Sequence, residues 1–415
     1  MADSSIAHAK SGALHYGWLI VLASFFAFGL VYGTVFYSFT VFVNPVATAF
    51  GVKPTSIVWA FTFFNIGTGI LGIFGGQLLA RFPIKYVMVG GLAILALGFL
   101  ALSFADTVPM FYACYTVIIA FGAVIVAPLG ASAIIGNWFQ AHRGRALTLA
   151  TLGTSVGQLI LPGVAAFLIA DHSWQFAYRV FAGLLVVIAI PIMFLLVVDK
   201  PEDKGLEPVG GAVAAGAAPP AAPVRLTTGQ ILGRADFWII GAAYVLTVVV
   251  YLALVATIVP YGRATYGLDK FQIASLTSVM GIAAIIGKFV FAAITDKIGL
   301  RNTFWIAVAL NFIAVTLLVS APSYNNMFIA AACAGGSAGG VLPVWPGLVA
   351  FRFGRQSLAQ VMGLMSPMVL CLQGLGAPAA TALKFTPAFQ IFIGFLILSA
   401  ILSYGLDKPG KTVAS

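Results

Sequence analysis

The sequence predicts an all-α membrane protein whose twelve transmembrane helices form two parallel halves of six, with both termini in the cytoplasm. Of the 415 residues, 61% are hydrophobic and 8% are charged, whereas a soluble domain carries roughly 25% charged residues. The chain supplies twelve apolar segments, each near the length of about 20 residues that crosses a bilayer. Motifs of the first half recur in the second half at a constant spacing. Together these three observations define the fold class.

The apolar segments are the predicted transmembrane helices, numbered in chain order. Each is long enough to cross the ~30 Å hydrocarbon core of a bilayer as a helix. They lie near 17–42, 54–79, 86–105, 109–137, 146–170, 176–198, 236–261, 271–294, 302–320, 326–350, 358–381 and 387–405.

Membrane topology accounts for the net charge of +10. With a cytoplasmic N-terminus, 15 of the 21 basic residues fall in cytoplasmic loops and five in external loops. Cytoplasmic loops of membrane proteins carry such an excess of Lys and Arg. The remaining basic residue is Lys288. We therefore expect both termini in the cytoplasm, a lipid bilayer around the chain and no binding of nucleic acid.

The chain divides at a linker. Residues 199–234 combine a mixed-charge stretch with a low-complexity tract of Ala, Gly and Pro, a composition typical of flexible linkers. The predicted units are an N-terminal half over 1–198, a C-terminal half over 235–405 and a cytoplasmic tail over 406–415.

The two halves are related by a repeat. GGQLLARFPIKY at 75–86 matches FAAITDKIGLRN at 291–302 with an offset of 216 residues. Both halves begin on the cytoplasmic side, so the repeat is parallel, with its axis along the membrane normal. Transporters built in this way place the substrate near the midplane, between the halves. A channel is less consistent with the sequence, because no short filter loop is evident.

Lys288 is the only charged side chain predicted to lie deep inside a span. Its neighbours are apolar on both sides for more than two helical turns. An ammonium group at that depth costs at least ~3 kcal/mol, so it normally faces a protein interior or a water-filled cavity and has a partner. No Asp or Glu lies in any predicted span, so we expect a bound anion as the partner. The alternative is a lysine that pairs with backbone carbonyls or extends to an interface.

Polar and aromatic side chains at helical spacing form the candidate lining of a central cavity. In the fifth span, Thr151, Ser155 and Gln158 are spaced to share one face of a helix, as polar groups that line a cavity would. Their alternative role is hydrogen bonding between helices. The residues expected to contact a substrate together with Lys288 are Tyr37, Asn65, Gln158, Tyr244, Tyr251, Trp345 and Gln373.

An enzyme is not expected, since the sequence has no HExxH or CxxC motif and no set of nucleophile and metal ligands that would indicate one. No metal or cofactor is expected either. His142 lies in a predicted cytoplasmic loop, where a solvated side chain is favoured over a role in proton transfer. The cysteines sit in apolar spans and are expected to be small core residues: Cys114, Cys333 and Cys371.

The loop sequence DKIGLR at 296–301 resembles the cytoplasmic D-K-x-G-x-R motif of major facilitator transporters, in which the charged residues pair with helix ends and control opening. The parallel repeat matches the architecture of that superfamily. The copy in the first half is degraded, since Ala80 stands at the Asp position. The residues to which the resemblance gives a gating role are Asp296, Lys297, Arg301 and, in the first half, Arg81.

Within that superfamily, the chain resembles the monocarboxylate porters and the oxalate/formate antiporter group over almost its whole length. The eighth helix of that family carries one essential cation, usually Arg, that binds the substrate carboxylate. Lys288 occupies that position, so the resemblance implies that it binds a carboxylate. The segments that carry the resemblance are YGWLIVLASFF at 16–26, FYSFTVFVNPV at 36–46, NWFQAHRGRALTLATLGTSVGQLILP at 137–162 and VPYGRATYGLDKFQIASLTSVMGIAAIIGKFVFAAITDKIG at 259–299.

Three departures from the family pattern bear on the substrate. Lys288 replaces Arg, and an ammonium group is a point charge whereas a guanidinium grips a carboxylate with two hydrogen bonds. The oxalate/formate antiporter adds a lysine in helix 11, but the matching stretch MVLCLQGLGAP has none, which disfavours a dicarboxylate. Animal monocarboxylate porters carry an acid one turn before the cation and a lysine in helix 1. Here those positions hold Ala284 and Phe36 or Tyr37.

The expected function is secondary active transport of a small organic monocarboxylate by alternating access, with proton symport and a monomeric carrier. Lactate-sized and aromatic acids both fit one cation in an aromatic cavity. The expected location is the bacterial cytoplasmic (inner) membrane. Obligatory exchange of organic anions and drug/proton antiport by the same fold stay open. A receptor that transports nothing would not need Lys288 at membrane depth.

Overall fold

The computed structural model describes residues 15–210, 226–320, 323–354 and 356–404. These residues are almost entirely helical, with one isolated backbone bridge and no β-sheet among them. In this part of the chain, ten helices are long and apolar enough to cross a membrane. The predicted all-α membrane protein is therefore confirmed.

Each span predicted in the first half coincides with one helix. The first is the longest and extends beyond its predicted end at 42 to Phe50, where Gly51 at a φ of 65° ends the helix. The six helices are α1 Gly17–Phe50, α2 Pro54–Arg81, α3 Ile84–Leu102, α4 Val108–Trp138, α5 Arg143–Asp171 and α6 Trp174–Leu196.

The second half begins with α7, Ala235–Tyr266. A helical run of 51 residues follows, Lys270–Ser320, which would be about 77 Å long if straight. Its backbone leaves the helix at Gly299, with a φ of 82° and a ψ of 161°, in a region that glycine adopts without strain. We therefore treat 270–298 as α8 and 300–320 as α9. Gly299 is the glycine of the DKIGLR loop, and its positive φ explains why a glycine is needed at this position.

The remaining helices are α10, Tyr324–Phe353, and α12, Thr386–Ser403. Between them α11 is interrupted, with one piece over Leu358–Cys371 and another over Gly376–Ala382. The count of twelve spans stays a prediction. It would be reached if α8, α9 and the interrupted α11 each cross the membrane. The predicted tail at 406–415 lies outside the described residues.

One turn of α1, Tyr32–Tyr37, is π-helical. The backbone nitrogen of Ser38 donates to Gly33 O at 3.0 Å, which is the i→i+5 bond of a π turn. The turn widens the helix and brings Tyr32 and Tyr37 roughly one turn apart. Their phenol groups therefore point to neighbouring parts of the protein interior.

Glycines allow helices of the same half to approach backbone to backbone. A Cβ added to Gly157 of α5 would lie 2.1 Å from Gly29 O of α1. In the C-terminal half, a Cβ on Gly287 of α8 would lie 2.2 Å from Gly336 O of α10. Close approach through small residues is how helices commonly associate in membranes. We call these contacts the α1–α5 seam and the α8–α10 seam.

The two halves meet along α2 with α11 and along α5 with α8. A Cβ added to Gly76 of α2 would lie 2.5 Å from Ala359 O of α11. Near the DKIGLR loop, a Cβ on Gly144 of α5 would lie 2.3 Å from the Thr295 methyl group of α8. Small residues thus bring the halves into direct contact as well.

The first residues of the predicted linker pack against the N-terminal half. The backbone nitrogen of Val209 donates to Trp138 O at 2.9 Å. The Asp199 carboxylate accepts a hydrogen bond of 2.8 Å from the Lys85 nitrogen at the start of α3, and burial raises the pKa of Asp199 above its ordinary value. Residues 211–225 lie outside the described part of the chain, so a flexible linker stays a prediction.

The α1–α5 seam predicts a large effect from one methyl group. Gly157→Ala should destabilise the protein by about 1–3 kcal/mol, because the added carbon overlaps the α1 backbone. Gly163→Ala, in the same helix, is the matched control, since a Cβ there meets nothing within 4 Å. Thermal unfolding of the purified variants in detergent measures the difference. Equal melting temperatures for the two variants would show that the seam does not constrain the fold.

Candidate functional site

Lys288 lies on α8 at the junction of the two halves and is 2% exposed. Its ammonium nitrogen, Nζ, donates three hydrogen bonds, all to α5 of the other half. The acceptors are Thr151 O at 2.9 Å, Thr154 Oγ1 at 2.6 Å and Ser155 Oγ at 2.7 Å. An ammonium group has three donors, so each of them has an acceptor. We call these four residues the Lys288 network.

The sequence predicts a bound anion as the partner of Lys288, with backbone carbonyls as the alternative. The structure provides one carbonyl and two hydroxyl groups of α5. Thr151 and Ser155 are among the residues predicted to line a cavity, whereas Thr154 is not. The signal that could have identified all three is their i, i+3, i+4 spacing, which places them on one face of a helix. Three hydroxyl residues on one helix face can supply hydrogen-bond acceptors to a buried lysine that has no acidic partner.

Tyr37 is connected to Lys288 through Thr154. The Tyr37 side chain lies beside Thr154. The Thr154 hydroxyl also donates to Thr151 O at 2.9 Å, so its single proton is already committed. The connection joins α1, α5 and α8 around one buried cation.

A cavity of about 40 Å³ lies beside the network, between the halves. This volume has room for a few water molecules, so the central space is nearly closed in this conformation. Thr151 and Thr154, two of the groups bonded to Lys288, form part of its wall. The other lining residues used below are Phe28, Tyr32, Tyr244, Trp345 and Gln373.

Aromatic side chains from α1, α7 and α10 surround this space. Tyr244 and Trp345 stack with ring centroids 5.5 Å apart, and the Trp345 Nε1 group donates to Met365 Sδ at 3.4 Å. Tyr251 lies near both Tyr32 and Tyr37. The structure thus gathers the predicted residues Tyr37, Tyr244, Tyr251 and Trp345. It adds Tyr32, which the spacing of a regular α-helix would not place beside Tyr37. The π turn of α1 explains why the two lie close together.

Asn65 and Gln373 meet across the boundary between the halves. The Gln373 Nε2 group donates to Asn65 Oδ1 at 3.4 Å. Asn65 also donates from Nδ2 to Phe61 O at 2.8 Å within α2. A second space of about 10 Å³ lies here, and Gln373 borders both cavities. Two of the predicted substrate residues are thus paired with each other where α11 is interrupted.

Gln158 is exposed on α5, and the hydrogen bonds of the Lys288 network do not include it. Gln158 lies one helical turn beyond Thr154 on the same face of α5, whereas Gly157 packs against α1. A contact of Gln158 with the substrate stays a prediction.

Ser155 stands in the sequence GTSVG, which has the Gly-x-Ser-x-Gly spacing of some hydrolases. In those enzymes the serine occupies a sharp turn between a strand and a helix. Here Ser155 lies inside α5, and the two flanking glycines, Gly153 and Gly157, contact the α1 backbone. The pattern is explained by helix packing and by the hydrogen bond to Lys288.

The DKIGLR loop connects the halves through a contact that the sequence does not predict. The Asp296 Oδ2 atom lies 2.8 Å from Nδ1 of His142 at the start of α5, although the His142 side chain is 54% exposed. Arg301 donates to Tyr404 O at 3.1 Å and lies over the Trp305 ring at 4.9 Å. The other two predicted gating residues, Lys297 and Arg81, are exposed.

Two transporters resemble the chain over most of its length. The oxalate:formate antiporter of Oxalobacter formigenes is 26% identical over 414 residues, covering 97% of this chain and 95% of that protein. Monocarboxylate transporter 12 of Rattus norvegicus is 23% identical over 424 residues, covering 95% of this chain and 86% of the transporter.

Two solved structures share the fold. FucP, a Major Facilitator Superfamily transporter crystallised in the outward conformation, superposes with a TM-score of 0.69 at 16% identity, covering 93% of this chain and 97% of FucP. The human organic anion transporter MFSD10 superposes with a TM-score of 0.66 at 16% identity, covering 94% and 98% of the two chains.

The family assignment rests on a match that spans the chain. The sequence profile of the Major Facilitator Superfamily matches residues 17–274 and again 252–415. The predicted resemblance is thereby confirmed, and the structural superpositions agree with it. The chain is a multi-pass membrane protein that belongs to the Major Facilitator Superfamily of transporters.

Proposed function

We propose that the protein is a secondary active transporter of a small organic monocarboxylate, which it moves by alternating access with Lys288 binding the carboxylate. The observation that carries the proposal is one buried ammonium group at the contact between the halves, beside the central cavity. A charge buried at membrane depth is costly, and such residues usually mark the path of a substrate or an ion. The relatives named as monocarboxylate and oxalate:formate transporters support an anionic substrate.

One cation favours one carboxylate. Among the lining residues described for the central cavity, none is acidic or basic, so Lys288 supplies the charge that a substrate meets. A second carboxylate would be buried without a cation, which is strongly unfavourable. Gln373 also borders the cavity and offers an amide, which can bind a hydroxyl or carbonyl group of the acid.

The aromatic wall suits the carbon skeleton of the substrate. Tyr244 and Trp345 present stacked rings, and Phe28 and Tyr32 face the same cavity. Apolar walls with a few placed polar groups are typical of small-molecule sites. The site must enlarge to admit a substrate, and both a lactate-like acid and an aromatic acid are compatible with this lining.

We further propose coupling to protons, a monomeric carrier and the bacterial cytoplasmic membrane as its location. No membrane-embedded carboxylate is present in the sequence to carry a proton, so the substrate and Lys288 are the groups that can exchange one. The second candidate is obligatory anion exchange, favoured by the antiporter that aligns with 97% of this chain. Drug/proton antiport is weaker, because a cationic site repels cationic drugs.

The proposal predicts that Lys288 is required for recognition of the substrate. Lys288→Ala should abolish binding and uptake of monocarboxylates, because the buried anion would lose its counter-charge. Lys288→Arg should retain part of the activity, since a guanidinium keeps the charge. Uptake into proteoliposomes and thermal shift with a carboxylate panel measure both effects. Lys53→Ala, which removes an exposed lysine, is the control, and normal uptake by Lys288→Ala would reject the proposal.

Selectivity for one carboxylate is the next expectation. Monoanions should compete for uptake, whereas oxalate and succinate should compete poorly, because their second carboxylate finds no cation. Gln373→Lys should improve dicarboxylate binding by placing a second cation across the cavity from Lys288. Competition assays with the unmodified protein and with Gln373→Lys measure this. Oxalate as the strongest competitor of the unmodified protein would contradict the argument.

Proton symport predicts net uptake without substrate inside the vesicle. Liposomes loaded with buffer alone should accumulate the acid under an inward proton gradient, and uptake should rise as the external pH falls. Because proton and anion move together, uptake should be insensitive to membrane potential. Uptake at equal internal and external pH is the control. Transport that occurs only after the vesicles are preloaded with substrate would reject symport in favour of exchange.

A further inference from the structure

The α5 hydroxyl groups of the Lys288 network have a role in the transport cycle itself. We propose, resting on the function proposed above, that Thr154 and Ser155 are positioning residues that replace the substrate carboxylate as ligands of Lys288 when the carrier is empty. This exchange of ligands allows the unloaded carrier to close and to return across the membrane. The substrate then binds by taking over acceptors that the protein otherwise provides.

The geometry of the contact supports this role. The three hydrogen bonds of Lys288 are between 2.6 and 2.9 Å long, the range of bonds to a charged donor. All three cross from the C-terminal half to the N-terminal half. Lys288 lies eleven residues before Gly299, about 16 Å along the helix, so the bonds form near mid-membrane. They therefore join the halves at the depth where a substrate is expected.

An empty carrier faces a specific obstacle that these bonds remove. When the halves close around a cation without a partner, the charge loses its water and gains nothing in return. Such a carrier stays open until an anion arrives, which is the behaviour of an obligatory exchanger. With three α5 oxygens as acceptors, the cation is solvated by the protein where the two halves meet. Closure then does not require a substrate.

Ser155 contributes a property that a carboxylate lacks. A hydroxyl group both donates and accepts hydrogen bonds, whereas an ionised carboxylate only accepts. The Thr154 proton is already donated to Thr151 O at 2.9 Å, but the Ser155 hydroxyl can accept from an ammonium and donate to a neutral amine. The other titratable groups near this point are phenols: Tyr32, Tyr37, Tyr244 and Tyr251. The empty site can therefore hold Lys288 with or without the proton that symport releases.

The inference separates two modes of transport that share the same binding site. Exchange uses only loaded carriers, whereas net uptake also requires the empty carrier to return. Ser155→Ala and the double variant Thr154→Val/Ser155→Ala should lower net uptake roughly tenfold or more, as expected for lost hydrogen bonds to a charged group. Exchange between vesicles preloaded with the same acid should fall less than net uptake, because in the loaded carrier the substrate carboxylate takes the place of the hydroxyl groups on Lys288. Ser155→Thr keeps the hydroxyl and should restore net uptake.

The matched control is Thr148→Val. Thr148 lies on the same helix and its hydroxyl donates to Gly144 O at 2.9 Å, so its loss tests the general effect of removing a buried hydroxyl from α5. It should leave the ratio of net uptake to exchange unchanged. Equal losses in both modes for Ser155→Ala, or unchanged net uptake for the double variant, would overturn the inference. A wild-type protein that exchanges but shows no net uptake would also overturn it.

A second measurement needs no substrate and so remains decisive if the proposed function fails. Spin labels at Gln140 and Lys297 report the distance between the halves at one end, and labels at Lys53 and Asp269 report it at the other end; all four positions are exposed. In substrate-free protein, Thr154→Val/Ser155→Ala should reduce the population with both ends closed. A population equal to that of the wild type would overturn the inference. Failure of the proposed function appears separately, as absence of monocarboxylate binding by the wild type.

Discussion

The burial of one ammonium group between the two halves is the constraint on which the rest of this structure depends. The chain offers no acid within the membrane to neutralise Lys288, so oxygen atoms from α5 must approach it closely. That approach requires α5 to pack tightly on its other side, which the α1–α5 seam provides through Gly153 and Gly157. The position of the cation thus determines which helices meet at the centre.

Much of the fold could be predicted because a bilayer imposes long apolar helices, whereas their ends were predicted less closely, as the extension of α1 from 42 to Phe50 shows. The interruption of α11 and the merging of α8 with α9 could not be predicted at this level. The first falls at residues 372–375, between a π-helical turn over Pro367–Cys371 and the second piece, which begins at Gly376. The second depends on Gly299, whose backbone angles turn the chain without a long loop. Both features are local departures from the regular helix that periodicity assumes.

The site could be predicted where a residue type, such as a charged one, is energetically costly at its position. It was harder to predict where the contacts join helices or loops that are distant in the sequence. Lys288 stands out by charge alone, and Tyr244 and Tyr251 stand out because their i, i+7 spacing places them on one helix face. Tyr32 could not be found from regular spacing, because the π turn changes the face on which it lies. The contact between His142 and Asp296 joins residues 154 positions apart, and nothing local in either loop indicates it.

The α8–α10 seam has an electrical consequence. Gly287 packs against the α10 backbone immediately before Lys288, so in the proposed alternating access the cation would move together with the C-terminal half. Moving one elementary charge fully across the membrane is worth about 2.3 kcal/mol per 100 mV. A charge near the pivot of a rocking motion crosses only a small part of that field. We therefore expect the conformational change of the proposed transport cycle to depend only weakly on membrane potential.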